Sequence, residues 1–344
     1  PYKCPPAPFE LILLIEEMLS VRKTREGSRI ILTSPKPFPF GNEKVKTIFL
    51  GTLKNAGIEY LAPYSPSKYD AEAKTVTLER VGDDGGDSEA QTQVLKYDVL
   101  VSVFPQGAPK FCSALCSKKG FVPADVLTTA TSHDGIFCAG DAAWMTLPRT
   151  PPKPHPKAGA FGLQVSANAA TAISHLVRGG TMEEAKERVS PKRVSFCYAE
   201  SGYGKGILIN PKLLPDDDGP AGFNCDGPDP KWYDQKETWL GEVVGRLFHT
   251  NPTVKTTKQI VIVGAGFFGL EFAQHMAELL DDPSVDVSVT IVDRKSTMMI
   301  GANFQFVLTR RKDWADITLD LNKARLHKNI KRRFNTEVLA VDPA

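Results

Sequence analysis

The sequence predicts an α/β protein made of two three-layer domains, each a parallel sheet covered by helices, and a smaller α+β domain. Two largely apolar runs, residues 29–33 and 260–263, have the length and composition of strands buried on both faces of a parallel sheet. Each run adjoins a stretch of helical length, so strands and helices alternate along the chain. Residues 193–209 instead alternate in polarity, which indicates the smaller α+β domain.

Length and composition narrow the classes of protein. A chain of 344 residues is long enough for two domains or more, and 42% hydrophobic with 24% charged residues is typical of a globular protein. The net charge of +2 predicts no surface for nucleic acid, and we interpret the basic runs at 310–312 and 328–333 as solvated helix ends and turns. The chain has no apolar run of transmembrane length, so we expect no membrane-spanning segment.

The clearest motif lies in residues 258–294, where a strand, a glycine-rich turn, a helix, a second strand and an acidic residue follow in order. In the G-x-G-x-x-G spacing, the first glycine makes the turn, the second lets the backbone approach a pyrophosphate, and the third lets helix and strand pack closely. Free N–H groups at the helix start suit phosphate, and the acidic residue suits the ribose hydroxyls. This Rossmann-like unit predicts a bound dinucleotide, and the small Ala273 favours FAD over NAD. The predicted cofactor-binding residues are Gly264, Ala265, Gly266, Phe268, Gly269, Asp293 and Arg294.

Two further segments are predicted to contact a flavin cofactor. Gly140 and Asp141 lie where a predicted strand meets a helix. In flavoproteins with two dinucleotide-binding domains, a Gly-Asp pair at such a place binds the ribityl or phosphate oxygens. Val338 lies in a strand predicted over 337–341, whose backbone is expected to reach the adenine.

The N-terminal stretch follows the same loop–helix–strand order without the nucleotide features. Three prolines precede or begin a helix predicted over 9–22, and Cys4 lies in the loop where glycines would be needed. The strand at 29–33 ends without an acidic residue for a ribose, so this second Rossmann-like unit is predicted not to bind NAD(P). Further predicted elements are helices at 43–56 and 161–178, strands at 74–78 and 97–103, and a loop at 216–230.

The cysteines are too few for a disulfide scaffold in a chain of this length. Cys112 and Cys116 have C-x-x-x-C spacing on a predicted helix without an accompanying metal-ligand pair, and we interpret them as packing thiols. The six histidines are scattered, so no metal site is predicted. The six cysteines are Cys4, Cys112, Cys116, Cys138, Cys197 and Cys225.

Several motifs together carry a resemblance to a known family. C-P-P-A-P-F-E at 4–10 matches a C-P-P-x-P-[YF]-E motif, and F-C-Y at 196–198 with Y-G at 203–204 matches N-T-C-Y-S…Y-G. With these motifs the chain resembles the flavoprotein subunits of flavocytochrome c sulfide dehydrogenases and the related sulfide:quinone oxidoreductases. The remaining matches are Y-D-V-L-V at 97–101 with P-Q at 105–106, G-D-A at 140–142, P-K-A-G at 156–159, A-N at 167–168, W-Y at 232–233 and F-Q-F-V at 304–307.

The resemblance implies an FAD-dependent oxidoreductase in which Cys4 and Cys197 form a redox-active disulfide beside the flavin. Sulfide or a related sulfur compound would attack the disulfide and leave a persulfide, and the released thiolate would pass two electrons to the flavin. The predicted helix start just after Cys4 should favour a thiolate there. The family also implies a cofactor contact at Lys157 in P-K-A-G. In the flavocytochrome branch of the family, a cysteine in the segment that corresponds to residues 298–307 attaches the flavin. Residues 298–307 contain no cysteine, so the resemblance implies that FAD is held non-covalently.

The family further implies partners and a domain order. Electrons would pass to a quinone or a cytochrome. The protein would act in a homo-oligomer or a larger complex. It would be located at the periphery of a membrane, in a periplasm or in an organelle. Because the dinucleotide motif here follows the cysteines, the chain reads as a circular permutation, a tandem junction or a fragment. The expected domains are a second Rossmann-like domain with Cys4 (1–127), a return segment of the FAD-binding domain (128–180), an interface domain with Cys197 (181–255) and the FAD-binding Rossmann unit (256–344).

Two other functions stay open. An NAD(P)H-dependent flavin reductase would need a dinucleotide site in the N-terminal unit. A non-catalytic flavoprotein, or a structural subunit of a larger complex, would hold Cys4 and Cys197 too far apart to bridge, with Cα atoms beyond about 7 Å.

Overall fold

The protein has a mixed α/β structure with several small sheets. The chain divides into two compact units. The first contains Pro1–Pro105, Cys197–Ile209 and Phe223–Lys236, and the second contains Gln106–Phe196, Asn210–Gly222 and Glu237–Ala344. The computed structural model describes residues 4–39, 42–82, 91–104, 106–148, 152–191, 195–214, 221–247, 258–282, 285, 287–300 and 313–341.

The first unit opens with two helices and a parallel strand pair. These are α1 (Ala7–Val21), β1 (Ile31–Thr33), α2 (Glu43–Asn55) and β2 (Glu59–Leu61), and β1 pairs in parallel with β2. Helices α1 and α2 and strand β1 lie within two residues of their predicted bounds. The Asn42 side chain caps α2 by accepting a hydrogen bond from Val45 N–H at 3.2 Å. The core between these elements includes Phe9, Leu13, Val45, Phe49, Leu53, Ala199 and Ile207.

Two three-stranded sheets follow the parallel pair. The first has the order β3 (Tyr64–Asp70), β4 (Thr75–Arg80) and β5 (Thr92–Lys96), and the second has the order β10 (Cys197–Gly202), β11 (Lys205–Lys212) and β12 (Gly222–Asp229). Helix α5 (Pro230–Leu247) follows β12 directly. The prediction of a loop over 216–230 is therefore wrong for the residues that form β12. Since β12 is an edge strand, it tolerates the Gly and Pro residues that suggested a loop.

The strand predicted over 97–103 is also wrong. The strand in this region is β5, which pairs antiparallel with β4 from Thr75 opposite Lys96. Residues 97–104, which follow β5, form no helix or strand, and the side chains of Val99 and Val101 are 81% and 53% exposed. The position of the strand is decided by its pairing with β4. The more apolar run at 97–103 lies outside the paired residues.

The second unit contains a three-stranded parallel sheet. Its order is β13 (Lys258–Val263), β14 (Val287–Val292) and β17 (Ile330–Arg333), as predicted for the first two strands. Helix α6 (Phe267–His275) packs against the sheet, and α3 (Gly159–Val177) packs against α6. The predicted helix is interrupted at Met276, after which α7 (Ala277–Asp281) begins. The core includes Ile262, Leu270, Met276, Val289, Ile291 and Leu326.

Shorter elements complete the second unit. The predicted strand over 337–341 is wrong: this segment belongs to no sheet, and the Val341 N–H donates a hydrogen bond to the Phe111 carbonyl at 3.2 Å. Within the described residues, no helix has the length and apolar character needed to cross a membrane. The short elements are β6 (Val122–Pro123), β7 (Ala143–Trp144), β8 (Thr146–Leu147), β9 (Lys153–Pro154), α4 (Met182–Arg188), β15 (Thr297–Met299), α8 (Trp314–Ile317), β16 (Thr318–Asp320) and 3-10 turns at Lys110–Leu115, Gly140–Ala142 and Leu321–Lys323.

Candidate functional site

Cys4 lies just before the start of α1 in the first unit. Its backbone is in the left-handed region, with φ 48°, and its carbonyl accepts a hydrogen bond from Ala7 N–H at 2.9 Å. A tight turn therefore brings the chain into α1, and the prolines that begin the helix need no N–H partner at this end. The Ala7 N–H also interacts with the Cys4 side chain. A helix start with its positive dipole end is a setting that favours a thiolate.

Cys197 is the first residue of β10, and β10 packs against α1. This packing brings Cys197 to Cys4, and the two side chains are hydrogen-bonded to each other. Both cysteines are half-buried and in the thiol state. The structure therefore brings together the two cysteines that the sequence motifs single out, although 193 positions separate them along the chain. Disulfide formation needs the two sulfurs to close to about 2.05 Å.

The shared hydrogen bond makes the two thiols unequal. The hydrogen bond from Cys197 lowers the pKa of Cys4 below its usual 9.0, while burial opposes this change. The same bond, together with burial, raises the pKa of Cys197 well above 9.0. Cys4 is therefore the sulfur that becomes a thiolate first, with the Cys197 thiol as its donor.

A buried ion cluster lies beside the cysteine pair. The Lys236 ammonium, from α5, donates to Glu200 Oε1 at 2.8 Å and to Glu10 Oε1. The three residues are only 3%, 1% and 9% exposed for Lys236, Glu200 and Glu10. Burial lowers the pKa of Lys236, but the two carboxylates more than offset this and raise it overall. One buried cation thus holds two carboxylates from two different elements.

Sequence reasoning did not identify this cluster as a site. Glu10 is part of the matched C-P-P-A-P-F-E motif, but the sequence predicted no role for its side chain. Glu200 and Lys236 have no local signal, because a single charged residue in a strand or helix usually faces water. Their partnership exists only through the packing of α1, β10 and α5.

The second unit contains the glycine-rich turn. Gly264 has φ 103°, which favours glycine, and its N–H donates to the Val292 carbonyl at 2.7 Å. A Cβ on Gly269 would lie 1.9 Å from the Gly264 carbonyl oxygen, so only glycine lets α6 approach β13 this closely. A Cβ on Gly264 or Gly266 would meet no atom within 4 Å, so the space beside the turn is open. This geometry fits the predicted roles of the three glycines.

Asp293 closes this turn from the end of β14. Its Oδ2 accepts a hydrogen bond from Ala265 N–H at 2.7 Å, and its Oδ1 accepts one from Lys295 N–H at 2.8 Å. Each carboxylate oxygen has a second lone pair, so ribose hydroxyls remain possible partners. Arg294 is exposed, whereas Phe268 is partly buried and packs its ring on Phe272. The open turn, the helix start and the carboxylate fit an ADP moiety.

Gly140, Asp141 and Lys157 form a second small assembly in this unit. Gly140 has φ 70° and begins a 3-10 turn. The Lys157 ammonium donates to the Asp141 carbonyl at 2.8 Å and to the Ala143 carbonyl, so it braces the turn. Val338 is half-buried in the irregular segment after β17, two residues beyond Thr336, whose N–H donates to the Asp293 carbonyl at 2.9 Å.

Three other cysteines of the second unit share one apolar cluster. Cys112, Cys116 and Cys138 pack there with Val122. Burial raises the pKa of Cys112, and burial with the neighbouring thiols raises the pKa of Cys138 to about 12. These two thiols are protonated at neutral pH. Within the described residues, no group of three or more His, Cys, Asp and Glu side chains could hold a metal ion.

Comparison with known proteins does not define a family, and no family model matches this chain. One similar solved structure is a chain of the Tetrahymena thermophila mitochondrial ATP synthase, with 16% identity and a TM-score of 0.39, covering 53% of this chain and 40% of that one. Another is reduced Bacillus anthracis CoADR-RHD, with 11% identity and a TM-score of 0.32, covering 90% of this chain and 65% of that one. The chain thus spans less than two thirds of either structure, and neither similarity is high enough to define fold or activity.

Proposed function

We propose that this protein is an FAD-dependent oxidoreductase that oxidises sulfide or a related sulfur compound through a Cys4–Cys197 redox disulfide. Electrons pass onward to a quinone or a cytochrome. The observation that carries the proposal is the packing of α1 on β10, which brings the Cys4 and Cys197 side chains together at the start of α1. A pair in contact, with one thiolate favoured, has the properties of an exchanging dithiol.

The surroundings of the two sulfurs support a different role for each cysteine. In the disulfide form, hydrosulfide attacks the Cys197 sulfur, the S–S bond breaks, and Cys4 leaves as the thiolate, which the adjacent start of α1 stabilises. Cys197 then carries a persulfide and Cys4 a negative charge. In total, each hydrosulfide yields one sulfane sulfur, one proton and two electrons. FAD, when bound, supplies the two-electron acceptor.

The second unit has residues suited to hold that cofactor. We propose that β13, the glycine turn, α6, β14 and Asp293 form an FAD-binding Rossmann unit. Backbone N–H groups at Gly266 and the start of α6 would bind the pyrophosphate, and Asp293 would bind the ribose. Gly140 and Asp141 would contact the flavin end. Elements α1, β1, α2 and β2 would be a second Rossmann-like unit that lacks a nucleotide site.

Anaerobic titration with sulfide tests the function directly. Purified protein with bound FAD is expected to lose its flavin absorbance on addition of sulfide, and Cys197→Ser is expected to abolish that bleaching. Cys116→Ser, which alters a half-buried thiol outside the pair, is the matched control and should bleach like the wild type. Bleaching that survives Cys197→Ser excludes the disulfide mechanism, and the absence of bound FAD excludes the cofactor. Bleaching by NADH or NADPH and not by sulfide would favour the flavin reductase.

A further inference from the structure

The buried ion cluster joins the two elements that carry the cysteine pair. Glu10 lies in the first turn of α1, which starts just after Cys4, and Glu200 lies three residues after Cys197 in β10. Lys236 of α5 contacts both carboxylates, and no member of the cluster is more than 9% exposed. A single ammonium therefore connects α1 and β10 at the place where their cysteines meet.

We infer that Lys236 is a positioning residue for the Cys4–Cys197 pair, because its ion pairs with Glu10 and Glu200 tie together the two elements that hold the sulfurs. The inference deepens the proposed function, since it concerns the same dithiol. It requires neither the flavin nor sulfide. Lys236 is not proposed to touch a substrate.

The cost of buried charge explains why the two carboxylates and the ammonium stay together. Two carboxylates buried side by side repel each other and are poorly tolerated away from water, so they stay close only while a cation lies between them. Removing the ammonium takes the ion pair with Lys236 away from both buried carboxylates. We expect them to separate or to take up a proton, and in either event the contact between α1 and β10 loosens.

Two charges of the same cluster also shift the pKa values of the two thiols. Lys236 lowers the pKa of both Cys4 and Cys197, and Glu10 raises both. The other groups facing Cys4 are the Cys197 thiol and the Ala7 N–H, which both favour its thiolate. Loss of Lys236 therefore acts on the Cys4 thiolate twice, through the lost cation and through a weakened hydrogen bond from Cys197.

The test compares Lys236→Met with Lys236→Arg, which keeps the charge. The deciding quantity is the equilibrium constant for Cys4–Cys197 disulfide formation against glutathione, followed by mass spectrometry of the cysteine peptides. It is measured below the alkylation midpoint of every variant, where both thiols are protonated and only their mutual positioning differs. We expect Lys236→Met to lower this constant about tenfold or more, as loss of a preorganised contact does, and Lys236→Arg to retain it. The iodoacetamide alkylation midpoint of Cys4 should rise in Lys236→Met.

Lys231→Met provides the matched control. Lys231 is on the same helix but is half exposed and pairs with Asp226 at 3.1 Å, so its removal should leave the disulfide constant unchanged. A Lys236→Met protein with a disulfide constant within twofold of the wild type would overturn the inference. If Lys236→Met does not fold, Glu200→Gln decides: it keeps a neutral hydrogen-bond acceptor but removes the ion pair that ties β10 to Lys236, so the disulfide constant should fall. An unchanged disulfide constant in Glu200→Gln then overturns the inference. Because no flavin is used, failure here is distinct from failure of the proposed function.

Discussion

At the residue scale, the chemistry of the cysteine pair depends on which sulfur holds the shared proton. Cys4 has a helix start and a donor thiol beside it, so its pKa is lowered, while Cys197 is the donor and its pKa is raised. Cys112 and Cys138, within an apolar cluster, have raised pKa values instead. Identical side chains therefore have different reactivities, and the surroundings of each thiol decide which one reacts.

Gly269 is the residue where a single added carbon should have the largest effect. Gly269→Ala would place a Cβ 1.9 Å from the Gly264 carbonyl oxygen, so α6 and the turn must separate. We expect a loss of about 1–3 kcal/mol in the free energy of unfolding, typical of overpacking, with weaker FAD binding. Urea unfolding and FAD titration measure the two effects.

Gly162→Ala is the matched control for this prediction. Gly162 also lies in a helix, α3, and a Cβ there would meet no atom within 4 Å. Because alanine favours a helix over glycine, this substitution should stabilise the protein by up to about 1 kcal/mol. If Gly269→Ala proved as stable as Gly162→Ala, the close contact between α6 and the turn would be refuted.

At the element scale, helices were predicted more accurately than strands. The bounds of α1, α2 and α3 follow from apolar periodicity, which is local. Strand positions depend on the neighbouring strand, and here the sequence misleads: β5 is less apolar than residues 97–103, yet β5 pairs with β4. Strand β12 contains Gly and Pro residues and is still a strand, because it lies at a sheet edge.

Substitution at Val101 tests the position of the strand. Since Val101 is exposed beyond β5, Val101→Thr should change the free energy of unfolding by less than about 0.5 kcal/mol. Val289→Thr, the matched substitution at a fully buried position of β14, should cost about 1–3 kcal/mol, because it buries a hydroxyl. Chemical denaturation measures both. A large loss at Val101 would restore the buried strand predicted from the sequence.

At the scale of the whole molecule, each of the two units is made of separated chain segments. The first unit takes its N-terminal 105 residues and adds Cys197–Ile209 and Phe223–Lys236. The core beneath α1 includes Ala199, Ile207, Ile209 and Cys225 from those later segments. The segments that complete the first unit are therefore distant in sequence.

This arrangement predicts that residues 1–105 do not fold alone. The fragment lacks the apolar partners of α1 and the lysine that compensates Glu10, so it should show no cooperative thermal transition by circular dichroism. The control is the same fragment co-expressed with residues 106–344, which supply the missing segments and should restore a cooperative transition. A cooperative transition in the isolated fragment would contradict the division of the chain.

The sequence by itself determined the features whose causes are local. The spacing of Gly264, Gly266 and Gly269 specifies a turn and a close helix, and apolar periodicity specifies the main helices. The motif match singled out Cys4 and Cys197, although spacing along the chain could not place them together. Only the tertiary structure decided that contact, the unequal thiols and the Glu10–Lys236–Glu200 cluster. The physical reason is that charge burial and hydrogen bonding depend on which distant segments pack together, and Glu10 and Lys236 are 226 positions apart.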